Sequence, residues 1–343
     1  MWNIVDGLVN RKKMRAAYDH HRAPGGILVA GGTEEEDRKG RSMTCGSLSH
    51  GFISVIGRRR VMEDAVTVAI GGVDSYDFFA VYDGHGGAHP TEACKERLHL
   101  IVAQEVKERR KREGCGRGWE DLMAACFLKM DEEVSLAGRD ASSVGPSALV
   151  VMVDEEELVV ANRGNSRIVL CRAGVAVPLS RNHKVGDRRR VIFDDRLVVP
   201  DKPDESERVR VEAAGGGITN WYSCRVLGVL TTSASIGDQN LKPYVVLSKP
   251  EVTVNARSEL DEFIIIATRG LWDVVSNEFA CEVVRRCLTG KLRVRFPEEC
   301  SGSGPSGAAE AATMLAELAL ARGSKHNIRV IVVELKKSSA IVS

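Results

Sequence analysis

Residues 78–87 read FFAVYDGHGG. An apolar run of strand length delivers Asp83 to its end, and glycines then let the backbone turn tightly. A carboxylate at a strand end beside the Gly84 carbonyl suits a hard divalent cation. Taken alone, the motif reads equally well as a plain turn. Upstream, residues 58–65 read RRRVMEDA, with Glu63 and Asp64 behind the triplet Arg58, Arg59 and Arg60. Alone, this is a solvated strand end with local ion pairs. Together the two motifs pair metal-binding acids with an arginine able to grip a phosphate through two parallel hydrogen bonds.

Working outward, apolar runs rich in β-branched residues predict strands at Phe52–Ile56, Ala65–Ile70, Phe78–Tyr82, Ala148–Val153, Leu158–Ala161, Ile168–Cys171, Phe263–Ala267 and Ile328–Leu335. Helical periods fit His89–Lys111, Trp119–Ser135, Asn277–Leu288 and Ala308–Ala321. Strands come in groups with helices in pairs between them. The order is not the strand–helix alternation of a parallel sheet, so the fold class is α+β, antiparallel sheets with helices packed outside. Residues 1–46 lack steady periodicity and read as a flexible N-terminal tail whose glycines and acidic run resemble a linker. Residues 47–338 read as one folded domain, and 339–343 as a C-terminal tail.

Composition excludes several classes. The 48 Lys and Arg against 47 Asp and Glu leave no global positive excess to neutralise nucleic-acid phosphates. No apolar run approaches the roughly 18 residues of a membrane span, and the N-terminus lacks the apolar centre of a secretory signal. The nine cysteines are odd in number and widely spaced, with no C-x-x-C pair. Most read as buried thiols in a reducing compartment, the cytoplasm or nucleus, rather than as a disulfide framework or zinc site.

The ordered blocks RRRVMEDA (58–65), FFAVYDGHGG (78–87), VANRGNSRIVL (160–170), LSRNHK (179–184), EAAGG (212–216), RVLGVL (225–230), IGDQNLKPYV (236–245), PEV (250–252), GLWDVVSNEFA (270–280) and HNIRVIVVEL (326–335) together resemble the metal-dependent protein Ser/Thr phosphatases of the 2C type, over nearly the whole chain after the tail. The resemblance implies a four-layer α/β/β/α sandwich. It also implies two manganese or magnesium ions that activate a water for in-line attack on phosphate. On this resemblance Asp83 and the Gly84 carbonyl match metal ligands, with Glu63 nearby. Arg59 matches the phosphate-holding arginine, and His85 the candidate general acid.

The sequence departs from that pattern at its most demanding positions. The family's Ser-Asp-Gly-Leu-Trp-Asp carries a metal aspartate where this chain has Arg269, and its Asp-Asn-Ile-Thr carries one where this chain has His326. The Asp of Gly-Asp-Ser-Arg, which serves an additional metal site in some relatives, is Asn165. The region becomes four charge units more positive. A unit charge about 5 Å from a dication interacts by about 6–7 kcal/mol at an effective dielectric near 20, so at Arg269 an attraction of that order becomes a repulsion. A binuclear metal pair is not expected. His326 is a poor substitute for a carboxylate beside an arginine. Arg269 has two readings: it fills the vacated cation space and pairs with Asp83 or Glu63, or it forms an anion pocket that binds a phosphorylated segment without hydrolysing it.

Residues 185–199 (VGDRRRVIFDDRLVV) are an insertion relative to the family, either a surface hairpin with an apolar edge at Val191, Ile192 and Phe193 or an unspliced intron carried into the reading frame. Trp221 sits in a glycine-rich stretch whose position resembles the flap of the plant abscisic-acid co-receptor subgroup, where a tryptophan docks onto the hormone-bound receptor. The residues flanking Trp221 depart from that subgroup. The leading expectation is a monomeric, catalytically inactive phosphatase-like protein, a pseudophosphatase that binds phosphoproteins or partners of active relatives. The alternatives are a weak manganese- or magnesium-dependent phosphatase and a degenerate gene product without function. Neither nucleic acid nor membrane is expected as a partner.

Overall fold

The computed structural model describes residues 48–85, 87–111, 118–137, 145–181, 235–237, 249–293 and 306–335, with further backbone strands at 28–31, 191–193, 196–198, 218–220 and 224–226. In chain order the elements are β1 (Leu28–Gly31), β2 (His50–Val55), β3 (Ala65–Val73), β4 (Tyr76–Asp83), α1 (His89–Lys111), α2 (Trp119–Ala137), β5 (Ser147–Val153), β6 (Glu157–Arg163), β7 (Arg167–Arg172), β8 (Val175–Pro178), β9 (Val191–Phe193), β10 (Arg196–Val198), β11 (Ile218–Asn220), β12 (Cys224–Val226), β13 (Glu251–Ala256), β14 (Asp261–Ala267), a single turn α3 (Arg269–Trp272), α4 (Asn277–Leu288), α5 (Gly307–Ala321) and β15 (Ile328–Glu334). The eight strands and four helices expected from the sequence are all present. Within the stretch read as tail and linker, Leu28–Gly31 instead forms β1, pairing antiparallel with β2. Inside the insertion, β9 and β10 pair as a short antiparallel hairpin.

The described residues belong to two compact units, one from residues 1–62, 168–178 and 258–343, the other from 63–167 and 179–257. The first unit holds a sheet in the order β1-β2-β15-β14-β7-β8. On β14 and β15, Phe263, Ile265, Ala267, Ile328, Val330 and Val332 join the core beneath α4 and α5. The alternate residues Ile264, Ile266, Ile331 and Val333 are also fully buried. Strands dry on both faces need continuous apolar runs, which is why no polar alternation marks them in the sequence. Ser276 caps α4 by accepting from the Phe279 N–H at 3.3 Å, and Ser306 caps α5 by accepting from the Ala309 N–H at 3.2 Å. Helix α5 lies very close to its sheet: a Cβ on Gly51 would fall 2.3 Å from the backbone of Ala309. Glycine on the strand and alanines on the helix are what that approach requires. Trp272 donates its indole N–H to the Ala267 carbonyl at 3.1 Å, tying the start of this helical segment back to β14.

The second unit holds an antiparallel sheet in the order β13-β6-β5-β4-β3. Phe78, Ala80 and Tyr82 on β4 pack with Ala148, Val150 and Met152 on β5 against Leu98 and Val102 of α1 and Met123, Phe127 and Met130 of α2. Helix α1 carries Glu92 in its first turn and Arg109, Arg110 and Lys111 in its last, which complements the helix dipole. One carboxylate oxygen, Glu157 Oε1, accepts both the Tyr76 hydroxyl at 2.7 Å and the Trp119 indole N–H at 3.0 Å. The Arg109 guanidinium lies 5.1 Å over the Trp119 ring. Among the described residues no helix is long and apolar enough to cross a membrane. Cys94, Cys126, Cys171, Cys281 and Cys287 are buried free thiols.

The tight seat of α5 yields a direct expectation. Gly51→Ala forces the strand and helix backbones apart and lowers stability by about 1–3 kcal/mol, read as a lower denaturant midpoint with an unchanged slope in urea unfolding.

Candidate functional site

The candidate residues fall into two groups, one in each unit. In the second unit, β4 is buried along its whole length and ends at Asp83, which is itself 5% exposed. Gly84 follows in close contact with the preceding motif. A Cβ on Gly84 would lie 2.1 Å from the Glu63 carbonyl oxygen and 2.5 Å from Thr91 Oγ1. Only glycine fits, so the DGHGG and MED motifs are packed backbone to backbone. Their acids brace the turn: Asp64 Oδ1 accepts from the Gly84 N–H at 3.3 Å and Glu63 Oε1 from the Gly87 N–H at 3.0 Å. The structure therefore brings Glu63, Asp83 and Gly84 together, with His85 half-buried immediately after them. Burial pushes the phenol of Tyr82, the residue before Asp83, well above its usual range, so it stays protonated.

The same end of this sheet carries further polar groups. Ser147 stands opposite Asp83 in the β4–β5 register. Gly164, with φ +141°, packs so closely on Ser147 that a Cβ there would lie 2.2 Å from the serine Cβ. The next residue, Asn165, is 3% exposed, and among the described residues neither of its amide atoms finds a hydrogen-bond partner. As a neutral group it brings no negative charge to this end of the sheet.

In the first unit, Thr268 ends β14 and exchanges two contacts with β15: its N–H donates to the Arg329 carbonyl, and its hydroxyl accepts from the Arg329 N–H, each at 3.1 Å. This clasp sets Arg269 at the first position of α3. Gly270 then packs under the next chain segment, where a Cβ would come 2.0 Å from the Asn327 carbonyl oxygen. Ser324 Oγ donates to the Gly270 carbonyl at 2.7 Å. Asn327 Nδ2 donates to the carbonyls of Ile56 at 2.8 Å and Val61 at 3.2 Å, bracketing the arginine triplet. Arg269 and His326 thus start from adjoining backbone, far apart in sequence.

His326 has a polar neighbour at each ring nitrogen. Arg59 Nη2 lies 3.1 Å from Nδ1. A guanidinium only donates, so Nδ1 is the acceptor and the neutral ring carries its proton on Nε2. Nε2 in turn lies 3.7 Å from Asp273 Oδ2. Sequence pattern alone does not single out Asp273, Asn327 or Thr268. The signal was present in the GLWD and HNIR blocks, but their meeting depends on contacts between remote segments. Trp221 lies outside the described residues. Among the described residues no cluster of three or more His, Cys, Asp or Glu is arranged to hold a metal ion.

The Protein phosphatase 2C family profile matches residues 48–191 and 196–328. The chain is 48% identical over 323 residues to "Probable protein phosphatase 2C 8" of Oryza sativa subsp. japonica, covering 84% of this chain and 75% of that protein. It is 39% identical over 353 residues to "Protein phosphatase 2C 37" of Arabidopsis thaliana, covering 92% and 82%. Among solved structures, the serine-threonine phosphatase 2C from Toxoplasma gondii superposes with a TM-score of 0.65 at 19% identity, covering 91% of this chain and 99% of that one. A C. elegans sex determining protein gives 0.69 at 21% identity, covering 86% and 66%. These likenesses show the fold, the α+β sandwich class expected from the sequence. With the profile and the plant relatives beside them, the chain belongs to the protein phosphatase 2C family, in its plant type.

Proposed function

We propose that this member of the family is a pseudophosphatase, a phosphatase 2C fold that has lost two-metal hydrolysis and acts in the cytoplasm or nucleus by binding phosphoproteins or the protein partners of active relatives. The observation that carries this reading is the presence of Arg269 and His326 at the positions where the family places metal aspartates. The donor chemistry does not fit a manganese or magnesium pair. These hard cations take oxygen ligands, and charge is what holds them. Arg269 supplies a cation, and His326 offers a neutral nitrogen whose acceptor position is already taken by Arg59. Asn165 lacks the charge of the aspartate it replaces. Glu63, Asp83 and Gly84 remain, but Glu63 spends one carboxylate oxygen on the Gly87 N–H.

The contact between Arg59 and His326 also supports the loss. In the family this arginine holds the substrate phosphate; here its guanidinium reaches a ring that replaces an aspartate. Arg58, Arg59 and Arg60 are exposed, so the chain keeps cationic groups of the kind that grip phosphate esters. Phosphate recognition without hydrolysis is the activity that these residues favour.

The test is turnover of a phosphoserine peptide by purified protein across a manganese titration, paired with calorimetric manganese binding. The matched control is the double variant Arg269→Asp, His326→Asp. The wild type is expected to stay at background and to take up no pair of ions. The double variant is expected to gain at least about a hundredfold, the scale of one recovered electrostatic contact. Manganese-dependent turnover by the wild type would establish the rival reading, a weak metal-dependent phosphatase. A second expectation concerns Trp221. If this residue docks on a hormone-loaded abscisic-acid receptor as in the co-receptor subgroup, Trp221→Ala weakens competition for that receptor by roughly thirtyfold, the loss typical of a buried aromatic anchor. Equal competition by variant and wild type removes the anchor.

A further inference from the structure

Cys171 on β7 and Cys281 on α4 lie in the same core cluster, 0% and 2% exposed. Their thiols are in hydrogen-bond contact. Arg285, one turn beyond Cys281 on the same helix, brings Nη2 to 3.1 Å from Cys171 Sγ. That guanidinium is held in place by Glu262, with Nε 3.1 Å from Oε2 and Nη2 3.3 Å from Oε1. Glu262 Oε1 also accepts from the Gly174 N–H at 2.9 Å. Gly174 has φ +84°, and a Cβ there would come 3.0 Å from Arg285 Nη2, so glycine keeps the space the arginine occupies. The Arg285 side chain is 40% exposed. The Cys171 sulfur therefore lies against a guanidinium that itself reaches the surface.

The surroundings divide the labour between the two thiols. The hydrogen bond with Cys281 and the contact with the Arg285 guanidinium hold the Cys171 thiol below its usual range, against the opposing effects of burial and of the nearby Glu262 carboxylate. Cys281, in contact with Cys171 and itself buried, is pushed up. The other buried thiols, Cys94, Cys126 and Cys287, are each pushed up to about 12, chiefly by burial. A thiolate beside a cation with a second thiol in contact is the arrangement of a reactive and a resolving cysteine.

We propose that Cys171 and Cys281 form an oxidative modification site, in which a peroxide converts the pair to an intramolecular disulfide joining β7 to α4. The Cys171 thiolate attacks one peroxide oxygen; the O–O bond breaks, Cys171 becomes a sulfenic acid, and the leaving hydroxide takes a proton as water. The Cys281 sulfur then attacks the sulfenic sulfur. The S–S bond forms, the S–O bond breaks, and the hydroxide leaves with the Cys281 proton as a second water. Two thiols are oxidised by two electrons and one peroxide is reduced. The step is independent of whether the protein hydrolyses phosphate.

The experiment treats the full-length protein with stepwise hydrogen peroxide, alkylates remaining thiols and maps peptides by mass spectrometry. A Cys171–Cys281 cross-linked peptide, lighter by two hydrogens and reversed by dithiothreitol, is expected before any other cysteine reacts. In Cys281→Ser the Cys171 sulfenic acid accumulates and is captured by dimedone. In Arg285→Met the loss of free Cys171 at pH 7 slows roughly threefold to tenfold, since thiolate fraction falls about tenfold per pKa unit while nucleophilicity partly recovers. The wild-type cross-link stands whether or not the variants fold. Recovery of Cys171 and Cys281 as alkylated thiols after the other cysteines have been consumed would overturn the proposal.

Discussion

Strand β4 is buried from Tyr76 to Asp83, and that burial governs where the second unit can place polar groups. Along such a strand a charge needs partners, and the two carboxylates it carries, Asp77 and Asp83, stand at or next to its ends, Asp77 accepting from the Gly71 N–H. Asp83 closes the strand, and Gly84 presses against the Glu63 carbonyl so that two acidic motifs share one turn. Ser147, Gly164 and Asn165 gather at the same sheet end, because β5 is in register with β4, and β6 with β5. The polar end is thus a by-product of a dry sheet.

The first unit solves a different problem. Its polar residues hang on a backbone junction, the Thr268–Arg329 clasp and the contact of Gly270 with the Asn327 carbonyl. Those contacts depend little on the side chains at 269 and 326. The junction therefore accommodates Arg269 and His326 without relying on their side chains. Fold and chemistry are separable here for a physical reason: the constraint on the backbone lies at Thr268, Gly270 and Asn327, one residue away from Arg269 or His326.

The sequence made visible whatever rested on local pattern. Runs such as Ala148–Val153 and Phe263–Ala267 are apolar throughout because both faces are dry, and they were readable as strands. Strand β13 escaped because Glu251–Ala256 is only partly buried and its polar residues blur any run. Strand β1 is four residues long and bounded by glycine pairs, and α3 is a single turn, too short for helical periodicity. At the site, Glu63, Asp83 and Gly84 were legible from motif chemistry. The pairing of Arg59 with His326 was not, since the two are 267 positions apart and no local spacing encodes their meeting. Asp273 went unnoticed for the same reason.

Two of the four tryptophans lie among the described residues, one in each unit. Trp119 is fixed by the Glu157 carboxylate and covered by Arg109, while Trp272 donates to the Ala267 carbonyl. Their indoles have unlike neighbours, a charged knot in one case and a backbone amide in the other. Among the described residues each compact unit thus carries one indole in a surrounding of its own. Variants that keep only Trp119 or only Trp272, with the other three tryptophans replaced by phenylalanine, would let intrinsic fluorescence tell whether the two units melt together or in turn.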